Sequence, residues 1–317
     1  MRIQFMALNI FLLLPLLRPA AEEASWFVSS GIHTGEIREL VYEGEDILSE
    51  LVWPLDSLVT VTLGGSLPLG GGVHLSASLE AGSLLMEQSM TDSDYLNLPE
   101  RSEKTHFSRH PVDMKQYLEF RGALRRPVTT GLSGVCTNRK IRISPGLEFR
   151  LSSAAWTGRD GYLQYGTWNG DFWNPWHSGL PKTETPGTVI TWHWTRILLA
   201  ASLSVDVPVG NRFLVSASIL ASPLIKADGN DMHVLTGTVF RDTMYGGVFL
   251  EPALRAEYRI ASGYHLFAVG SWSYQADTRG DTRSGPVGGE LATTFKGGGG
   301  NDMTLISFSL GLKKTTE

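Results

Sequence analysis

Apolar and polar residues alternate with a period of two along most of the chain. Val59, Val61 and Leu63 stand against Thr60, Thr62 and Gly64, and Leu75, Ala77 and Leu79 against Ser76, Ser78 and Glu80. Ile141, Ile143, Leu147, Phe149 and Leu151 alternate with Arg142, Ser144, Glu148 and Arg150. The same rhythm returns at 199–207, 213–221, 248–258, 266–274 and 306–312. No segment holds the 3.6-residue period of an amphipathic helix, so the pattern predicts strands throughout. Short Gly/Pro breaks at 69–72, 208–211 and 261–263, and a slightly longer one at 126–138, alternate with long connections at 43–49, 89–111, 158–186, 228–246 and 279–300. That spacing predicts an all-β fold of ten antiparallel strands, with five long loops on one side and four tight turns on the other. It is the pattern of a transmembrane β-barrel with long extracellular loops. A soluble sandwich also alternates, but it does not require short and long connections in strict turn.

The N-terminus agrees with export. Arg2 precedes a mostly apolar run at 7–17, and Ala20 and Ala21 are small residues suited to cleavage. The run is too short to span a bilayer as a helix. We read 1–21 as a signal peptide, with cleavage after 21 or 24, and 25–317 as the barrel. Cys136 is the single cysteine, which excludes an internal disulfide. A net charge of −5 does not suggest a nucleic-acid partner. A diffusion porin fits poorly, because ten strands enclose little open lumen.

Candidate chemistry concentrates in the long connections. The stretch 226–233 packs Asp228, Asp231 and His233 closely. Asp231 and His233 are two apart, so on extended backbone they share a face. A carboxylate beside an imidazole fixes its tautomer and raises its basicity, as a general base requires. Asp92 and Asp94 repeat that spacing. The first pair falls in the loop after the seventh strand and the second in the loop after the third, both on the same side of the barrel. Turn chemistry also explains Asp-Ser-Asp, and a solvated loop explains Asp-Met-His. Histidine with several carboxylates could hold a cation, but no HExxH-type helix is present, and we assign no metal.

In order along the chain lie Glu39-Leu40-Val41-Tyr42, Leu48-Ser49-Glu50-Leu51-Val52-Trp53, Met90-Thr91-Asp92-Ser93-Asp94, Ser108-Arg109-His110-Pro111 and Asn230-Asp231-Met232-His233. These five fragments resemble the omptins, the ten-stranded outer-membrane endoproteases of Gram-negative bacteria. The resemblance implies an aspartic-type endopeptidase facing outward, in which His233, oriented by Asp231, deprotonates a water held against the Asp92–Asp94 couple. A serine route through Ser108 is the rival, without a nucleophile-elbow context. The family cleaves between basic residues, which implies Glu39 as an acid holding a substrate Arg or Lys. The family's second acid falls at Gly229, leaving Asp228 as the nearest substitute. A family glycolipid motif matches Glu148 and Arg150, with Gly146 at its aromatic position. The partners implied are extracellular polypeptides and outer-membrane lipid, with a monomeric barrel and no cofactor beyond an activating outer-leaflet glycolipid. The alternative is a catalytically inactive surface barrel acting as adhesin or host-protein binder.

Two further stretches stand out. Tyr165, Trp168, Phe172, Trp173 and Trp176 could sit at headgroup level, wall the cleft, or pack a long loop as a mini-core. The glycine run at 297–300 reads as a flexible loop tip.

Overall fold

The computed structural model describes residues 24–97 and 103–316, so the expected signal peptide lies outside the described residues. Every regular element among them is a strand: β1 (Ser25–Glu43), β2 (Asp46–Pro54), β3 (Leu58–Gly70), β4 (Val73–Leu84), β5 (Gln88–Asp94), β6 (His106–Arg125), β7 (Val128–Ser133), β8 (Lys140–Arg159), β9 (Tyr162–Tyr165), β10 (Thr183–Glu184), β11 (Thr188–Val209), β12 (Phe213–His233), β13 (Thr238–Tyr245), β14 (Val248–Ala261), β15 (Tyr264–Pro286) and β16 (Thr293–Thr315). β2 with β3, β4 with β5, and β13 with β14 each make one interrupted wall, and β7, β9 and β10 are accessory. Ten walls remain, as the alternation predicts. All neighbours pair antiparallel, and β16 pairs with β1 to close the ring.

The outer surface explains the alternation. Ile32, Val61, Leu203, Ile219, Leu254 and Leu310 are large apolar residues that stand exposed on it. A continuous band of such residues belongs in hydrocarbon rather than water. Aromatic rings edge the band: Phe213 packs on Tyr258 at the rim that carries the termini, and Trp272 stacks near Tyr274 toward the other. The band needs only about 25 Å of height. β15 and β16 have 23 residues each, or roughly 75 Å of strand before tilt. Much of each wall therefore rises beyond the membrane.

This extension corrects two expectations. The connections at 228–246 and 279–300 are mostly paired strand rather than loop, because ladder pairing satisfies backbone groups that a loop would leave to water. The glycine run is part of β16, and Gly298, Gly299 and Gly300 are buried rather than a loop tip. A Cβ on Gly300 would stand 2.4 Å from the Tyr42 ring, so these glycines permit close approach.

Inside, the membrane-level lumen is filled by charge. Arg150 makes a bidentate pair with Glu251 at 2.7 and 2.6 Å and reaches Glu148 at 2.7 Å. Glu119 accepts from Arg121 at 2.5 Å and Arg196 at 3.3 Å. A cavity of about 510 Å³ lies on the terminal side of this layer, lined by residues such as Ser29, Glu80, Arg255 and Lys313. On the other side Trp53, Trp156 and Trp192 stack, with centroids 5.2–5.7 Å apart. Ile37, Leu55, Met90 and Met303 complete that apolar layer. It forms the floor beneath the candidate site.

Candidate active site

Asp92 and Asp94 lie on β5, and Asp231 and His233 on β12. Both pairs are strand residues, not loop residues as the sequence suggested. Extended backbone places each pair on one face. The two strands stand in well-separated walls, and their ends face each other across the cleft above the tryptophan floor.

His233 Nε2 lies 2.6 Å from Asp231 Oδ2. Ser49, on β2, donates to Asp92 Oδ1 at 3.0 Å. Burial in the cleft and the charge of Asp94 push Asp92 up to about 7. Burial also raises Asp94, which feels His106 and His233. Burial works to lower the His233 pKa, but the hydrogen bond and charge of Asp231, with Asp92 and Asp94 beyond, hold it above the ordinary histidine value. The two pairs are thus one electrostatic unit.

Glu39 joins them. It is buried on β1, and Trp53 Nε1 donates to it at 3.4 Å. Burial and the charges of Asp231, Asp242 and Asp92 hold its carboxyl well above the usual range. Asp242, on β13, is pushed up to about 6 by burial, with Asp231 adding to the rise. Composition gave no sign of Asp242, because only the β12–β13 register brings it inward.

Other expected residues are not brought to this cleft. Asp228 is three positions from Asp231 and so faces outward, where it pairs with Lys226 at 2.6 Å. Glu148 and Arg150 are buried in the lumen, so neither reaches lipid on the outer face. They alternate with lipid-facing Leu147, Phe149 and Leu151, which sets their direction. Ser108 is buried beside Asp92 in register, but the nearby His110 gives its Nδ1 to the Asp160 carbonyl at 2.5 Å. Among the described residues no cluster of His, Cys, Asp and Glu is arranged to hold a metal.

Part of the aromatic loop packs beside the carboxylate couple, while Tyr165, Trp168 and Phe172 stay about half exposed. Tyr165 and Trp173 lie 4.4 and 4.6 Å from the His106 ring, and Trp176 lies 5.0 Å from Phe107. Cys136 is exposed in a turn with φ of 52°.

The outer membrane protease OmpT from Escherichia coli superposes with a TM-score of 0.82 at 17% identity, covering 95% of this chain and 99% of that one. The translocator domain of the autotransporter NalP from Neisseria meningitidis aligns over 96% of this chain and 94% of its own, at 11% identity and a TM-score of only 0.34. No curated protein matches the sequence. The sequence model of the Omptin family matches residues 20–315, nearly the whole chain. The chain therefore belongs to the omptin family of outer-membrane β-barrel proteases.

Proposed function

We propose that the chain is an endopeptidase that hydrolyses peptide bonds at or between basic residues of extracellular polypeptides, with water activated between the Asp231–His233 dyad and the Asp92–Asp94 couple. The observation that carries this reading is the convergence of the two pairs: His233 on one wall feels the charge of both Asp92 and Asp94 on another. In this scheme His233 donates Nε2–H to Asp231, which leaves Nδ1 as the basic nitrogen. Nδ1 takes a proton from a water held by the couple, the hydroxide adds to the scissile carbonyl, and the imidazolium returns the proton to the leaving amine. One carboxyl of the couple stays protonated, since two close carboxylates do not both ionise readily, and it can donate to the developing oxyanion. No covalent intermediate forms. The ten walls close on themselves and leave free edges only on the short accessory strands β7 and β10, which supports a monomer.

The test is cleavage of dibasic peptides by the refolded barrel, with and without outer-leaflet glycolipid, beside peptides whose basic residues are neutralised. Equal rates with and without glycolipid would remove lipid activation from the scheme.

A pH profile checks the dyad. A base must be unprotonated, so kcat/KM should rise with pH through a pKa above 6.5. In Asp231→Asn the largest interactions that raise His233 are removed, while burial, which lowers it, remains and is opposed only by Asp92 and Asp94. The ascending limb should then move to lower pH as the maximal rate falls. A limb that stays in place would mean that another group sets it.

Asp228 gives a negative control. Its side chain lies on the outer face with Lys226, so Asp228→Asn should change the preference for basic over neutral peptides by no more than about two-fold. A larger change, read from the ratio of kcat/KM values, would place Asp228 at the substrate.

A further inference from the structure

Gly229 lies on the inward face of β12, next to Trp194 on β11 and opposite Asp242 on β13 in the ladder. The space a side chain would take there is partly filled from the neighbouring strand. A Cβ on Gly229 would stand 3.0 Å from Asp242 Oδ2 and 3.4 Å from Trp192 Nε1. The other carboxylate oxygen is seated as well: Thr282 donates to Asp242 Oδ1 at 2.5 Å, and a Cβ on Gly299 would stand 2.8 Å from it. Two glycines and a hydroxyl thus shape a seat for one carboxylate on the cleft side.

Two other polar atoms here are buried without a partner: Trp192 Nε1 lacks an acceptor and Asp231 Oδ1 lacks a donor. Both residues are almost fully buried, at 1% and 2% exposure. Glu39, Asp231 and Asp242 come from three walls and act on one another electrostatically. Crowded carboxylates of this kind are stabilised by a cation. The unpaired N–H calls for a carbonyl oxygen, and the unpaired carboxylate oxygen calls for an N–H. A peptide carrying a cationic side chain supplies all three.

We infer that Asp242 is the second acid of the substrate pocket, acting with Glu39 to hold a guanidinium or ammonium group of the substrate in the space that Gly229 leaves open. Asp242 is here a specificity residue, and this assignment rests on the proposed preference for basic residues. It also fits the outward placement of Asp228, because the acid approaches from the strand beside Gly229 rather than from the residue before it.

The experiment compares kcat/KM for two peptides that differ only in arginine or citrulline on the acyl side of the cleaved bond. It uses the full barrel in glycolipid vesicles, with folding checked by heat-dependent gel mobility. Asp242→Asn keeps an acceptor for Thr282 and should reduce the arginine-to-citrulline ratio by about 30-fold or more. The paired replacement Gly229→Asp with Asp242→Ser moves the acid across the ladder and should restore most of the ratio. If Asp242→Asn fails to fold, Asp242→Ser alone is read in its place. A ratio kept by the Asp242 variant but lost in Glu39→Gln would overturn the assignment while leaving the preference for basic residues intact. A parent that does not distinguish arginine from citrulline would overturn that preference itself.

Discussion

Replacing His233 by alanine is expected to lower kcat/KM for peptide cleavage by about 10²–10⁴-fold, with the barrel still folded. The size follows from the proposed role. The imidazole takes the proton that makes water nucleophilic and returns it to the leaving amine, and no other histidine stands beside Asp231. His233 is half-buried at the top of the cleft, and its side chain hydrogen-bonds Asp231. Its ring also packs edge-on to Phe240 at 5.2 Å, a contact too small to hold the barrel together. Loss of activity should therefore come without loss of heat-dependent gel mobility. Asp92→Ala should fall in the same range, because it removes half of the group that holds the water. A variant of His233 that cleaves at the parent's rate would eliminate the dyad.

The second large effect concerns stability. Arg150→Met should destabilise the barrel by about 3–5 kcal/mol. Arg150 is 3% exposed and carries three charge-assisted bonds, two to Glu251 and one to Glu148. Glu148 keeps Arg125 at 3.0 Å when Arg150 is lost. Glu251 loses both of its ion-pair bonds and keeps the Ser273 hydroxyl at 2.5 Å, with Arg121 as a more distant charge. A buried carboxylate stripped of its ion-pair partner is the source of the cost. Replacing Glu251 by leucine in the same chain should recover much of it, since an apolar pair of similar volume removes the orphan charge. Urea unfolding followed by tryptophan fluorescence measures both. A cost below about 1 kcal/mol, the scale of exposed ion pairs, would mean that water reaches this layer and screens it.

Much of this was legible in the sequence, for a simple reason. A wall with lipid on one side and a polar lumen on the other must alternate, so ten walls could be read from period and turn spacing. The same alternation already held the direction of Glu148 and Arg150, which share a face with Ser152 and oppose Leu147, Phe149 and Leu151. It also held that of Asp228, an odd number of positions from Asp231. Reading motif fragments without that parity put these residues at the substrate and the lipid.

Other features were not legible. Polar stretches such as 228–233 and 279–286 lose their lipid-facing alternation above the membrane, so they look like loops although their ladders continue. The burial of the 297–300 glycines depends on Tyr42, Thr282 and Asp242, which come from distant parts of the chain. Asp242 reaches the cleft only through its register with Gly229, and single-chain patterning does not specify that register. Ser49 meets Asp92 only through the β2–β5 register and Trp156 meets Trp192 only through the β8–β11 register, while Trp53 joins that stack across the closed ring.

The most direct test of the proposed function is cleavage of a dibasic peptide by the refolded parent barrel, with the cut bond located by mass spectrometry in vesicles with and without glycolipid. The expected result is a single cut beside the basic residues, abolished when those residues are neutralised. A folded barrel that cuts no peptide in either lipid would contradict the proposed peptide hydrolysis and favour a catalytically inactive surface barrel that binds its partners.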